Sequence, residues 1–96
     1  MSADEPVGTT YTIVLAPGAH RALTETLPSA AAFAAWEFIT GPLPRRPPVV
    51  GVPLREPFDG LWGARRGEYR VRYRTDEENQ RVIVLDVEHR RDAYRR

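Results

Sequence analysis

The spacing of apolar residues divides this chain into a front half of one strand and two helices and a back half of strands. Residues 11–15 are short, β-branched and apolar and stop at Pro17-Gly18, which predicts a strand followed by a turn. Ala19, Leu23 and Leu27 recur four apart, predicting a helix over 19–27 that Pro28 ends. Ser29 is then the expected N-cap of a second helix over 30–40, in which Phe33, Trp36 and Ile39 fall at helical spacing before Gly41-Pro42. The two helices make an αα-hairpin. Residues 42–57 hold six prolines and are expected to form an extended connector across the surface.

From Gly60 onward the period becomes two. Strands are expected over 61–65, 68–75 and 81–88, joined by a turn at Arg66-Gly67 and an acidic turn over 76–79. In the middle strand Tyr69, Val71 and Tyr73 share one face, and Arg70, Arg72 and Arg74 share the other. Residues 82–85 are continuously apolar, as in a central strand. The predicted fold is therefore α+β in the order β-α-α-β-β-β, a small and mostly antiparallel sheet with the helices on one face. At 96 residues the chain has room for one domain, expected over 9–96 behind a disordered lead-in over 1–8.

Composition removes several kinds of chemistry. Without cysteine there are no disulfides, thiolate nucleophiles or Cys-based metal sites. The only serines are Ser2 and Ser29, neither well placed for a Ser-His-Asp triad. Gly60, Gly63 and Gly67 do not lead into a helix, so no phosphate-binding loop is expected, and neither a metal nor another cofactor is called for. No apolar run approaches the ~20 residues that cross a bilayer, and the N-terminus has no signal-like segment, so a cytoplasmic protein is expected. His20, in the first helix, reads as a surface residue.

Charge changes the picture more. The net charge of +1 hides the fact that all fourteen basic residues are arginine. Between Arg65 and Arg74 five arginines accompany one acid, Glu68; residues 90–96 hold four arginines and Asp92. Arginine binds phosphate bidentately and stacks on bases, so two dense arginine segments suggest an anionic partner. Local acids look too few to pair all the strand arginines, and what remains for catalysis is Arg, His and Tyr.

The run Glu68-Tyr69-Arg70-Val71-Arg72-Tyr73, then a Val/Ile-rich strand, then His89-Arg90-Arg91-Asp92-Ala93-Tyr94, resembles the C-terminal half of RelE/ParE-superfamily toxins. The likeness extends over about residues 9–96 and includes the segment around Pro53-Leu54-Arg55. It implies the toxin of a type II toxin–antitoxin system. In the RelE branch this is an endoribonuclease that cuts messenger RNA in the A site of the 30S ribosomal subunit and is neutralised by a cognate antitoxin. The resemblance makes Arg70, Arg90 and Tyr94 the catalytic residues. Arg70 would contact the scissile phosphate, Arg90 would act as acid or transition-state stabiliser, and Tyr94 would stack or act as base. Arg65, Arg66, Arg72, His89 and Arg91 would bind RNA, with Arg65 and Arg66 standing in for lysines the family carries on the preceding strand. The ParE branch, which shares the fold, implies a gyrase inhibitor without nuclease activity instead.

Overall fold

The computed structural model describes residues 10–55 and 60–89, apart from the side chains of Pro48 and Val49. The expected lead-in over 1–8 and the basic tail with Arg90, Arg91 and Tyr94 lie outside the described residues. Strand β1 (Thr12–Leu15) enters helix α1 (Pro17–Arg21), which continues as a π-helical stretch, Ala22–Thr26. Helix α2 (Ser29–Thr40) follows, then two one-turn helices, α3 (Pro42–Arg45) and α4 (Pro47–Val50). The rest is β2 (Val52–Pro53), β3 (Trp62–Arg66), β4 (Tyr69–Asp76) and β5 (Arg81–His89).

The strands form one sheet in the order β1-β5-β4-β3-β2. All neighbours are antiparallel except β1 and β5, which run parallel, with Thr12 opposite Arg81 and Leu15 opposite Val84. Placing β1 beside the last strand makes β5 internal, as its apolar run predicts. The α+β order and the mostly antiparallel sheet agree with expectation. The additional edge strand β2 was not foreseen.

Alternation along β4 decides the layering. Tyr69, Val71 and Tyr73 are buried with Ala64, Val82, Val84 and Val87 against Ala19, Ala22, Ala31, Ala35, Phe38, Ile39 and Leu43 from the helical layer. Alanines on α2 let the helix axis approach the sheet closely, so the buried face of α2 is Ala31, Ala35, Phe38 and Ile39. Phe33 and Trp36, at the expected helical spacing with Ile39, instead remain 64% and 45% exposed. They border an open groove of about 540 Å³ between α2 and the α1/π segment, which Leu15, Leu23 and Leu27 also line.

Three local expectations are corrected. Pro17-Gly18 begins α1 rather than a turn, since proline's missing N–H and fixed φ suit the first helical turn. The same property converts the proline-rich segment from an extended connector into α3 and α4, each with proline in its first turn and with Leu43, Pro44 and Pro47 buried. The Pro44 carbonyl accepts the Tyr11 N–H at 2.8 Å. Ser29 is the first helical residue of α2, not its cap; Pro28 holds the cap position and no side chain caps the helix.

Tyr73 ties the proline segment to the sheet. Its hydroxyl donates to the Pro47 carbonyl at 2.6 Å, its ring stacks on Trp62 with centroids 6.4 Å apart, and burial pushes its pKa up to about 12. Gly51 passes so close that an added Cβ would overlap the Tyr73 hydroxyl. At the other end of β4, Asp76 closes the turn to β5, accepting from Asn79 at 2.9 Å and Arg81 at 2.8 Å. These bonds, the one from Asn79 foremost, hold the Asp76 carboxyl down at about 2.

Tyr73→Phe removes a buried donor and leaves the Pro47 carbonyl without it, so urea unfolding is expected to show a loss of about 1–2 kcal/mol with an unchanged m-value. The Asp76 pKa lies below its ordinary 3.8, so its contribution is fully present above that value and disappears as the pH falls toward about 2. Asp76→Asn is expected to lower stability at neutral pH and to flatten the decline over that acid range, measured by thermal melts at a series of pH values.

Candidate nucleic-acid interface

The sheet face opposite the helices carries the charge. Antiparallel pairing puts Arg65 of β3 directly opposite Arg70 of β4, and Glu88 of β5 opposite Arg70 on its other side. One register step along, Gly63, Arg72 and Asp86 form a second row. Cations directly opposite each other, as Arg65 and Arg70 are, repel, and the carboxylates of β5 offset this. Arg70 Nη2 donates to Glu88 Oε1 at 3.1 Å. Arg72 grips Asp86 with Nη2 at 2.7 Å and Nε at 3.4 Å, and its pKa is raised, first by that hydrogen bond. Arg74, the next outward residue, is exposed and opposes Ile83.

The sequence pattern alone did not reveal this pairing. Asp86 and Glu88 are spaced by two, like Arg70 and Arg72, and that shared period was the available signal. Only the register shows that the two pairs meet. Two of the strand arginines are paired across strands, and with Arg74 this face still sets four guanidiniums, of Arg65, Arg70, Arg72 and Arg74, against the two carboxylates. At Gly63 a Cβ would stand 3.0 Å from Leu54 Cδ2, so Leu54 covers the position nearest Arg72 where β3 carries no side chain.

Two residues expected to bind RNA do not lie on this face. Arg66 alternates to the helical side, where its guanidinium lies 4.7 Å from the Phe38 ring centroid and Nη2 donates to the Val50 carbonyl at 3.1 Å. His89 is opposite Tyr69 in the register and only 8% exposed, with Nε2 3.4 Å from Glu68 Oε1. The cause in both cases is the period of two, since Arg66 follows outward-facing Arg65 and His89 follows outward-facing Glu88. Of the predicted site residues, the structure therefore groups Arg65, Arg70 and Arg72, and it sets Arg66 and His89 on the other side. Tyr69, beside them, is pushed up in pKa by burial and donates to the Ala34 carbonyl at 3.1 Å.

Chemically, this arrangement can receive an extended anion. A guanidinium has five N–H donors, and among the described residues Arg70 donates one bond, to Glu88. Its side chain is 41% exposed, so donors remain for a phosphate. No group of three or more His, Cys, Asp or Glu among the described residues is placed to hold a metal. No helix among them is long and apolar enough to cross a membrane.

These features define a small α+β domain with a helical layer over one sheet face and an ordered arginine array on the other. Residues 19–94 match the family model for the ParE toxin of type II toxin–antitoxin systems, parDE. The chain belongs to this family, within the RelE/ParE group of toxins. It is 45% identical to Toxin RelG of Mycobacterium tuberculosis over 86 residues, which span 90% of this chain and 98% of that one. Toxin RelE of the same organism is 40% identical over 95 residues, 99% of this chain and 93% of its own. Among solved structures, the toxin–antitoxin complex RelBE2 from M. tuberculosis superposes with a TM-score of 0.80 at 43% identity, covering 84% of this chain and 99% of that one. The archaeal RelE–RelB complex from Pyrococcus horikoshii gives 0.54 at 26% identity, covering 84% and 96%.

Half-exposed ion pairs contribute about 0–1 kcal/mol. Arg70→Ala is therefore expected to change the unfolding free energy by less than about 1 kcal/mol. A larger loss on chemical denaturation would mean that the pair serves folding rather than a ligand.

Proposed function

We propose that this toxin is a metal-independent endoribonuclease that cuts messenger RNA in the ribosomal A site and so stops translation. The observation that carries the reading is the row of Arg65, Arg70 and Arg72 on a sheet face that the helices leave uncovered, held in register by carboxylates and still rich in cation. Relatives named RelE and RelG support the RelE branch. Cleavage by the 2'-hydroxyl needs a proton acceptor, stabilisation of charge on the phosphorane and a proton for the 5'-oxygen. Arg70 meets the second need as the phosphate ligand, and Arg65 and Arg72 track the backbone. Arg90 as acid or stabiliser, Tyr94 as stacking group or base, and Arg91 as an RNA contact are assigned by the motif that follows β5.

A cognate antitoxin, encoded with the toxin, neutralises it in the cytoplasm by covering the basic face or displacing the tail. Support comes from the two related structures, both of which are complexes of a RelE-type toxin with its partner. The match to the ParE model favours a second reading, a gyrase inhibitor that cuts no RNA.

A purified translation system given a defined message separates the two. Primer extension is expected to map cuts at codon-related positions, and Arg70→Ala is expected to reduce them by about 100-fold or more. Uninterrupted translation together with blocked DNA supercoiling would establish the gyrase reading instead. Arg72→Ala is expected to weaken RNA binding uniformly across sequences and to reduce the salt slope of log K by about 1.

A further inference from the structure

The arginine row supplies positive charge but no proton acceptor, and the acceptor is the group that a 2'-hydroxyl attack needs first. We infer that Glu88 is the general base. This rests on the nuclease reading, assigns a residue that neither the arginine pattern nor the tail motif singled out, and leaves Tyr94 the stacking role.

Register places Glu88 directly opposite Arg70, with Oε1 3.1 Å from Nη2. A guanidinium that holds this carboxylate on one edge and a phosphate on another fixes the base beside phosphorus. The second acid of the row, Asp86, is the poorer choice, because Arg72 engages both its oxygens, Oδ1 through Nε and Oδ2 through Nη2. Among the described residues Glu88 accepts an arginine bond through Oε1 alone, and its side chain is 33% exposed. Its Oε2 is thus available to a hydroxyl. His89, which follows it, faces the helical layer and stands beside Glu68.

Among the described residues, charged groups stand about Glu88 on its own strand and on the neighbouring ones. Arg70 faces it from β4, Arg72 is near enough on the same strand to feel its charge, and Asp86 lies two residues back on β5. Arg65 stands beyond Arg70 on β3. Strand β1 pairs with β5 only as far as Val84, and past it a Cβ at Gly18 of α1 would stand 3.1 Å from the Leu85 carbonyl oxygen. A half-exposed pair adds little stability. A carboxylate in a phosphate site also weakens anion capture, a cost that proton transfer offsets.

In the step assigned here, the Glu88 carboxylate takes the 2'-hydroxyl proton as the 2'-oxygen attacks phosphorus. The bond from phosphorus to the 5'-oxygen breaks, leaving a 2',3'-cyclic phosphate. The departing 5'-oxygen takes a proton from water, and Glu88 returns its proton to solvent. Arg70 carries the charge that gathers on the phosphorane oxygens.

Single-turnover cleavage of a short message on programmed ribosomes, with the full-length toxin over a range of pH, tests the assignment. Wild type is expected to show an acid limb in its rate profile. Glu88→Gln, which keeps the size of the side chain and an oxygen for Arg70, is expected to cut about 10²–10⁴-fold more slowly, without the acid limb and with unchanged or tighter half-saturation. Added formate is expected to restore part of the activity of Glu88→Ala, a rescue that a merely structural role would not allow. If Glu88→Gln cuts at the wild-type rate with the wild-type profile, the base is elsewhere while the nuclease reading stands. If wild type cuts no RNA at all, the nuclease reading falls and takes this assignment with it. Thermal melts of both variants, expected to match wild type, separate a chemical loss from misfolding.

Discussion

Strand β4 lies between β3 and β5, and its two-residue alternation is the constraint on which the rest of the molecule depends. One set of side chains, Tyr69, Val71 and Tyr73, is committed to the core, which forces Arg70, Arg72 and Arg74 together on the far side. A slip of one residue in register would bury the guanidiniums and expose the aromatics, so the same burial that stabilises the fold also fixes where the cations stand. The position of the arginine face is thereby coupled to the packing of the core, and that face needs little stabilisation of its own.

The ion pairs across β4 and β5 have a different role from the core. Arg70 with Glu88 and Arg72 with Asp86 are half-exposed, so their contribution to folding is small. They hold like charges side by side without burying them and limit the conformations of long side chains that would otherwise sample many. On the proposed reading, a phosphate arriving on this face meets guanidiniums already aligned. The β-bulge between Arg72 and Tyr73 breaks the even spacing just past these pairs, so the ordered array is confined to the end of the sheet where β5 leads into the basic tail.

On the helical side, small residues and prolines decide the geometry. Alanines make up half of the buried face of α2, and Phe33 and Trp36 stay outside although they share a helical period with Ile39. A count of apolar spacing favours large residues as the buried stripe, but what a face buries depends on how close the neighbouring layer lies. The prolines acted similarly. They exclude a long helix and yet suit the first turn of short ones, so two such turns bury Leu43 and Pro47, and the Tyr73 hydroxyl donates to the Pro47 carbonyl.

The order of the first strand, the helical hairpin and the last three strands, the switch from helical to strand periodicity, the division of β4 into an apolar and a basic face and the motif shared with RelE/ParE toxins were all legible in the linear chain. Each depends on local spacing or on residue type at fixed separation, which folding does not alter. Which residues meet was a matter for tertiary structure alone. The parallel pairing of β1 with β5, the edge strand β2, the removal of Arg66 and His89 from the arginine face and the placement of Glu88 against Arg70 all follow from register between strands far apart in sequence. Register is set by the whole core settling into one arrangement, and no single segment carries enough information to specify its partner.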